Sequence, residues 1–147
     1  MEIDWTAVAK GKLRNYSAKK VSAVNLAEEI RELEHSRRSI RSAASDGSPV
    51  AGGTNKRDDR ILNSMVLEDE YKESLHLVSR WLRRVERGLA ILSEEEYLLL
   101  DRFYIHHEKG AADRLAMDLG IDVKTVYWRT SQALEKFTSA MCGRIKD

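Results

Sequence analysis

The chain has 147 residues, enough for one domain or for a small domain joined to an extended element, and its many charged residues with a single proline favour an all-helical protein. Aromatic residues make up only 7%, which argues against a large globular core, and the formal net charge of +1 excludes neither nucleic acid nor protein as partner. No apolar run approaches the ~20 residues that span a bilayer, the start "MEIDWTAVAK" lacks a signal segment, and the lone Cys142 excludes an internal disulfide framework or a thiolate metal site, so a cytoplasmic protein without cofactor or metal is expected.

From Ala23 the apolar positions run Ala23, Leu26, Ile30, Leu33, then Arg37, Ile40 and Ala44, with spacings alternating between three and four. That alternation is the seam of a coiled coil. The helix should stop near "SDGSPVAGGTN", where glycine, serine and Pro49 cluster and the chain is expected to reverse. A second seam follows through Ile61, Ser64, Glu68, Tyr71, Leu75, Val78, Leu82, Val85, Leu89 and Leu92. From Tyr71 onward it keeps a seven-residue repeat, so the stripe should face a partner helix. Residues 1–92 are therefore expected to form a long antiparallel, coiled-coil-like hairpin with its loop at 45–57, Ser64 and Glu68 being weakly packed positions. Trp81 should widen the seam or mark a second interface. Whether the seam closes within one chain or joins two chains as a homodimer is left open.

A second domain is expected over residues 93–147. In "SEEEYLLLDRFYIHH", Ser93 and Glu96 have the spacing of a capping box that starts a new helix, and Leu99, Leu100, Phe103 and Tyr104 supply its buried face. The run Glu94, Glu95, Glu96 lies in the first turn, where acidic residues favour the positive end of the helix dipole, and no further group completes a catalytic site. "HHEKG" lacks the spacing that puts two imidazoles on one helix face and reads as a loop.

"RLAMDLGIDVKTVYWRTSQALEKF" then reads as two short helices hinged at Gly120. A helix-turn-helix needs a small residue where its helices cross, a glycine at the turn and an aliphatic anchor on the second helix, and Ala116, Gly120 and Val126 take those roles. Asp122 is the N-cap of the second helix. With Val126, Ala133, Leu134 and Phe137 inward, a rotation of about 100° per residue gathers Lys124, Tyr127, Trp128 and Ser131 on the outward face. On a recognition helix, Tyr127 and Trp128 would meet thymine methyls and sugars, while Lys124 and Arg129 reach phosphates or guanine edges of double-stranded DNA. The competing reading packs Trp128 against a neighbouring helix or a second chain. Residues 110–147 carry only 6 Lys and Arg against 5 Asp and Glu, which counts against tight autonomous DNA binding.

"SPVAGGTNKRDDRILNSMV", together with "LSEEEYLLLDRFYI" and "RLAMDLGIDVKTVYWRTSQAL", resembles a group of small proteins from phages and prophages of Gram-positive bacteria, the transcriptional regulators of the RinA/ArpU type. Their C-terminal part is similar to region 4 of sigma factors, and the likeness covers residues 20–138. It implies a sigma region 4-like helix-turn-helix, a non-enzymatic regulator of phage late genes, and host RNA polymerase as a candidate partner. By position it implies a recognition helix from Val123 to Phe137 exposing Lys124, Thr125, Tyr127, Trp128 and Ser131. Sigma-like motifs ordinarily carry an aliphatic residue at the place of Thr130, so a less firmly seated helix is expected. Two other classes remain alongside: a DNA-packaging protein like a small terminase subunit, and a helical protein-interaction adaptor.

Overall fold

A computed structural model describes residues 2–44 and 54–143. Its elements are α1 (Trp5–Ala44), α2 (Thr54–Ala90), α3 (Glu94–Leu100), a π-helical turn (Asp101–Ile105), α4 (Ala111–Leu119) and α5 (Val123–Cys142). No strand occurs among the described residues, so the class is all-α. No helix among them is long and apolar enough to cross a membrane. The expected reversal around Pro49 falls on residues 45–53, outside the described ones.

Helix α1 begins well before Ala23. The Asp4 carboxylate accepts the Ala7 backbone N–H at 3.1 Å, satisfying one of the free donors of its first turn. Continued backwards from Ala23, the three-and-four spacing lands on Lys19, Tyr16, Lys12, Ala9 and Trp5. The two lysines hide the seam, because their ammonium groups lie 5.9 and 6.0 Å from the centre of the Trp81 ring. Leu13, beside Lys12, is fully buried in its place.

The chain divides into two compact units, one of residues 21–80 and one of residues 1–20 with 81–147. Within 21–80, Ile30 is buried and Ala23, Leu26, Leu33, Ile40, Ile61, Tyr71, Leu75 and Val78 are half-buried. Glu68, expected to pack weakly, is instead 6% exposed. Its carboxylate accepts from Arg37 Nη2 at 2.8 Å and pairs with Lys72 Nζ at 3.1 Å, so the charged seam positions of α1 and α2 within residues 21–80 meet each other. Burial pushes the Glu68 carboxyl up, and the hydrogen bonds and charges of Lys72 and Arg37 more than offset it, leaving its pKa below the ordinary 4.5. Ser64 Oγ is buried with no hydrogen-bond partner among the described residues.

The other unit is larger than residues 93–147. Ala9, Leu13 and Tyr16 of α1 and Leu82, Val85 and Leu89 of α2 are buried in it, so the first half of α1 and the last part of α2 belong to the same compact unit as α3 to α5. Gly88 marks a close crossing of α2 and α5: a Cβ there would stand 2.8 Å from Met141 Sδ and 2.9 Å from Phe137 Cε2. The Ser93–Glu96 capping box forms as expected, with Ser93 Oγ accepting the Glu96 N–H at 3.1 Å and Glu96 Oε1 accepting the Ser93 N–H at 2.9 Å. After Leu100 the helix widens, and the Asp101 carbonyl accepts the His106 N–H at 2.7 Å, five residues on.

Candidate nucleic-acid interface

Helix α4 ends at Gly120, whose φ of +66° is a left-handed conformation that costs a residue with a Cβ. The chain turns there and restarts at Asp122, whose carboxylate accepts the Thr125 N–H at 2.8 Å. Hydrogen bonds from the Thr125 side chain and backbone hold the Asp122 carboxyl below its ordinary value. One core seats both helices, built on Leu99, Ala111, Ala112, Leu115 and Val126, with Ala116, Leu119 and Ile121 packed against it. Val126, Ala133, Leu134 and Phe137 are all buried, as the periodicity required.

Thr130 faces inward on α5. It is 4% exposed, and its hydroxyl donates to the Val126 carbonyl at 2.7 Å, so a polar group stands in an aliphatic place without an unmet hydrogen bond. Thr138 repeats the device about two turns further on, donating to Leu134 O at 2.7 Å.

The outward face of α5 carries Lys124, Tyr127, Trp128 and Ser131, all exposed. Trp128 is 63% exposed and Tyr127 56%, so neither indole nor phenol belongs to the core of this unit. Tyr127 nevertheless leans on Phe103, edge to face, with ring centres 5.8 Å apart. Thr125 is half-buried at the cap. Arg129 points elsewhere: its Nη1 is hydrogen-bonded to Glu95 of α3. Lys136 pairs in the same way with Glu96 at 3.1 Å, and Arg102 and Arg114 share the Glu108 carboxylate at 3.2 and 3.4 Å. Lys124 is in no ion pair among the described residues. The Ser93 backbone N–H lowers the pKa of Glu96, burial opposes that, and Lys136 adds to the lowering.

Two features lay beyond sequence reasoning. Phe103 continues into Tyr104, with ring centres 6.2 Å apart, and Lys10 Nζ and the Arg14 guanidinium of α1 stand 5.9 and 5.8 Å from the Tyr104 ring centre. Burial pushes the Tyr104 phenol above its ordinary 10.0, with the Arg14 charge partly opposing. No local pattern joins residues so far apart in the chain. The second feature is a relay in which the Asp101 carboxylate meets His106 Nδ1 at 2.6 Å and His106 Nε2 faces Ser17 Oγ at 3.4 Å. Serine hydrolases order these groups alike, but Ser17 lies inside α1, where backbone N–H groups are spent within the helix and none is left to hold an oxyanion. The relay ties α1 to the end of the π-helical turn. "HHEKG" is otherwise a loop, and no cluster of metal-ligating side chains occurs among the described residues.

No family model matches the chain, and neither a curated protein nor a solved structure matches it.

Proposed function

We propose that the chain is a sequence-specific DNA-binding transcriptional regulator in which α4, the Gly120 turn and α5 form a helix-turn-helix. In this reading α5 is the recognition helix, and α1 and α2 form a coiled-coil-like antiparallel hairpin used for self-association or for contact with RNA polymerase. The exposure of Trp128 beside Lys124, on the face opposite buried Val126, Thr130 and Phe137, carries the proposal. A large aromatic ring costs solubility on a helix face unless it has an external partner, and a capped, core-seated helix is a rigid support for reading base edges. The likeness of this stretch to phage regulators with a sigma region 4-like part points the same way.

The test begins with selection of a preferred duplex from a random pool, followed by titration at several salt concentrations. Lys124→Ala should weaken binding to all sequences alike and reduce the salt slope by about one unit, while Trp128→Ala should lose more specific than non-specific affinity. Both variants should melt like the parent, since neither side chain is buried. Failure to enrich any duplex refutes the proposal. So does a Trp128→Ala variant that unfolds while affinity per folded molecule is unchanged.

A helical adaptor without DNA contacts is the second reading, favoured by the pairing of Arg129 and Lys136 with Glu95 and Glu96. It predicts no salt-dependent duplex binding at all. A packaging subunit would instead assemble into a ring of many copies, which mass in solution distinguishes from a monomer or dimer.

A further inference from the structure

The surface of α5 is poor in free cations. Residues 81–147 carry eleven Lys and Arg against eleven Asp and Glu, and four of those cations, Arg102, Arg114, Arg129 and Lys136, are already paired. Affinity for duplex DNA rests mainly on phosphate neutralisation, so an interface limited to this segment would bind feebly. Residues 1–20 belong to the same compact unit and carry five Lys and Arg against two Asp and Glu. All the net positive charge of the unit comes from them.

Of those five cations, Lys10 and Arg14 are linked to Tyr127 of α5 by a chain of ring contacts. They lie about 40° apart on α1, hence on one side of it, and both stand beside the Tyr104 ring. Tyr104 adjoins Phe103 and Phe103 adjoins Tyr127, through ring-centre separations of 6.2 and 5.8 Å. Neither cation can be farther from the Tyr127 ring than these three contacts laid end to end. A major groove is about 12 Å wide, so phosphates bordering a groove that receives α5 stand at a comparable distance from Tyr127. Neither cation is in an ion pair among the described residues. Lys12 and Lys19 occupy the far side of α1, over Trp81.

We infer that Lys10 and Arg14 form a phosphate-contacting patch of the DNA interface, holding the backbone of the same duplex that α5 reads. The patch rests on the proposed role of α5. Contacts of this kind set register and affinity and carry no sequence information, which leaves discrimination to Lys124, Tyr127 and Trp128.

The test uses the full chain with Lys10→Gln and Arg14→Gln combined, titrated against a random-sequence duplex and the selected duplex over a range of salt. The expected result is a salt slope reduced by about two units, with affinity for both duplexes lowered by the same factor and their ratio unchanged. The single substitutions should each remove about one unit, which keeps the test usable if the double variant is destabilised. Lys10→Arg with Arg14→Lys, which keeps both charges, should retain the parental slope, and Lys12→Gln with Lys19→Gln should also retain it. If the parent binds no duplex, the role proposed for α5 fails and the patch with it. If the parent binds but the Lys10 and Arg14 variants keep its slope, or the Lys12 and Lys19 variant loses as much, the patch alone is overturned. Loss of binding to vesicles containing an anionic lipid, with the DNA slope unchanged, would overturn it in favour of a membrane surface.

Discussion

Replacement of Glu68 by alanine probes the charged pair within residues 21–80. The Glu68 carboxylate contacts Arg37 at 2.8 Å and Lys72 at 3.1 Å, and the Arg37 side chain is 14% exposed. Without Glu68 the guanidinium has no carboxylate within reach among the described residues, and its Nη1 already lacks a hydrogen-bond partner. Breaking a buried pair from one side costs about 3–5 kcal/mol, and the partial exposure of Arg37 places this case at the lower end, about 3 kcal/mol. Lys72 is half exposed, so its lost contact contributes about 0–1 kcal/mol. Removal of both charges by Arg37→Leu with Glu68→Leu should be neutral or stabilising by about 1–4 kcal/mol, because neither ion is then dehydrated. Urea unfolding followed by circular dichroism, with amide hydrogen exchange to assign the loss to residues 21–80, gives the full double-mutant cycle. A Glu68→Ala cost below about 0.5 kcal/mol, typical of an exposed pair, would refute the burial of this contact. So would a double variant less stable than either single one.

The close crossing at Gly88 predicts that Gly88→Ala costs about 1–3 kcal/mol, because the added methyl meets the Phe137 ring and Met141; a thermal melt unchanged from the parent would contradict the crossing. Acid should weaken the fold through Glu68 and Glu96. Their folded-state values lie below the ordinary 4.5, so the stability they confer is complete above that value and is lost as pH falls through it towards the depressed values. Urea midpoints measured across that range should fall, and Glu68→Gln should flatten the fall; a pH-independent midpoint in the parent would argue against both pairings.

Local features of this fold were legible in the sequence because each rests on residues a few positions apart. The Ser93–Glu96 box, the Asp122 cap, the Gly120 turn and the buried face of α5 all follow from spacing within one or two helical turns. The seams at Ile30, Leu82, Val85 and Leu89 follow from a repeat sustained along one helix. What was illegible depends on meetings across the chain. Lysines at 12 and 19 interrupt the apolar repeat, so the seam starts at Ala23 until Trp81 is placed beside them, and polar Glu68 reads as a weak seam position until Arg37 stands opposite. Thr130 reads as a defect until its hydroxyl is seen to use the Val126 carbonyl. Nothing in residues 93–147 announces that Leu13 and Tyr16 are buried in the same compact unit.

That last meeting bears on how α5, in the proposed role of recognition helix, would hold DNA with so little net charge. Arg129 and Glu95 are each about two-fifths exposed, and such a pair is worth only about 0–1 kcal/mol, so exchanging the carboxylate for a phosphate is energetically easy. The exchange does not remove Glu95, however. Its negative charge stays near the duplex, and the counterions released depend on the net charge that the phosphates meet. The same holds for Lys136 beside Glu96. Ion-paired cations on α5 can therefore orient a contact while adding little salt-dependent affinity, whereas Lys10 and Arg14, with no carboxylate partner among the described residues, would add nearly a full charge each. A chain lacking residues 1–20 would lose that charge together with Ala9, Leu13 and Tyr16 from the core, so its failure to bind would not separate charge from folding. Point substitution at Lys10 and Arg14 does separate them, because their ammonium and guanidinium groups lie over a ring at its edge while the buried line of α1 runs along Ala9, Leu13 and Tyr16.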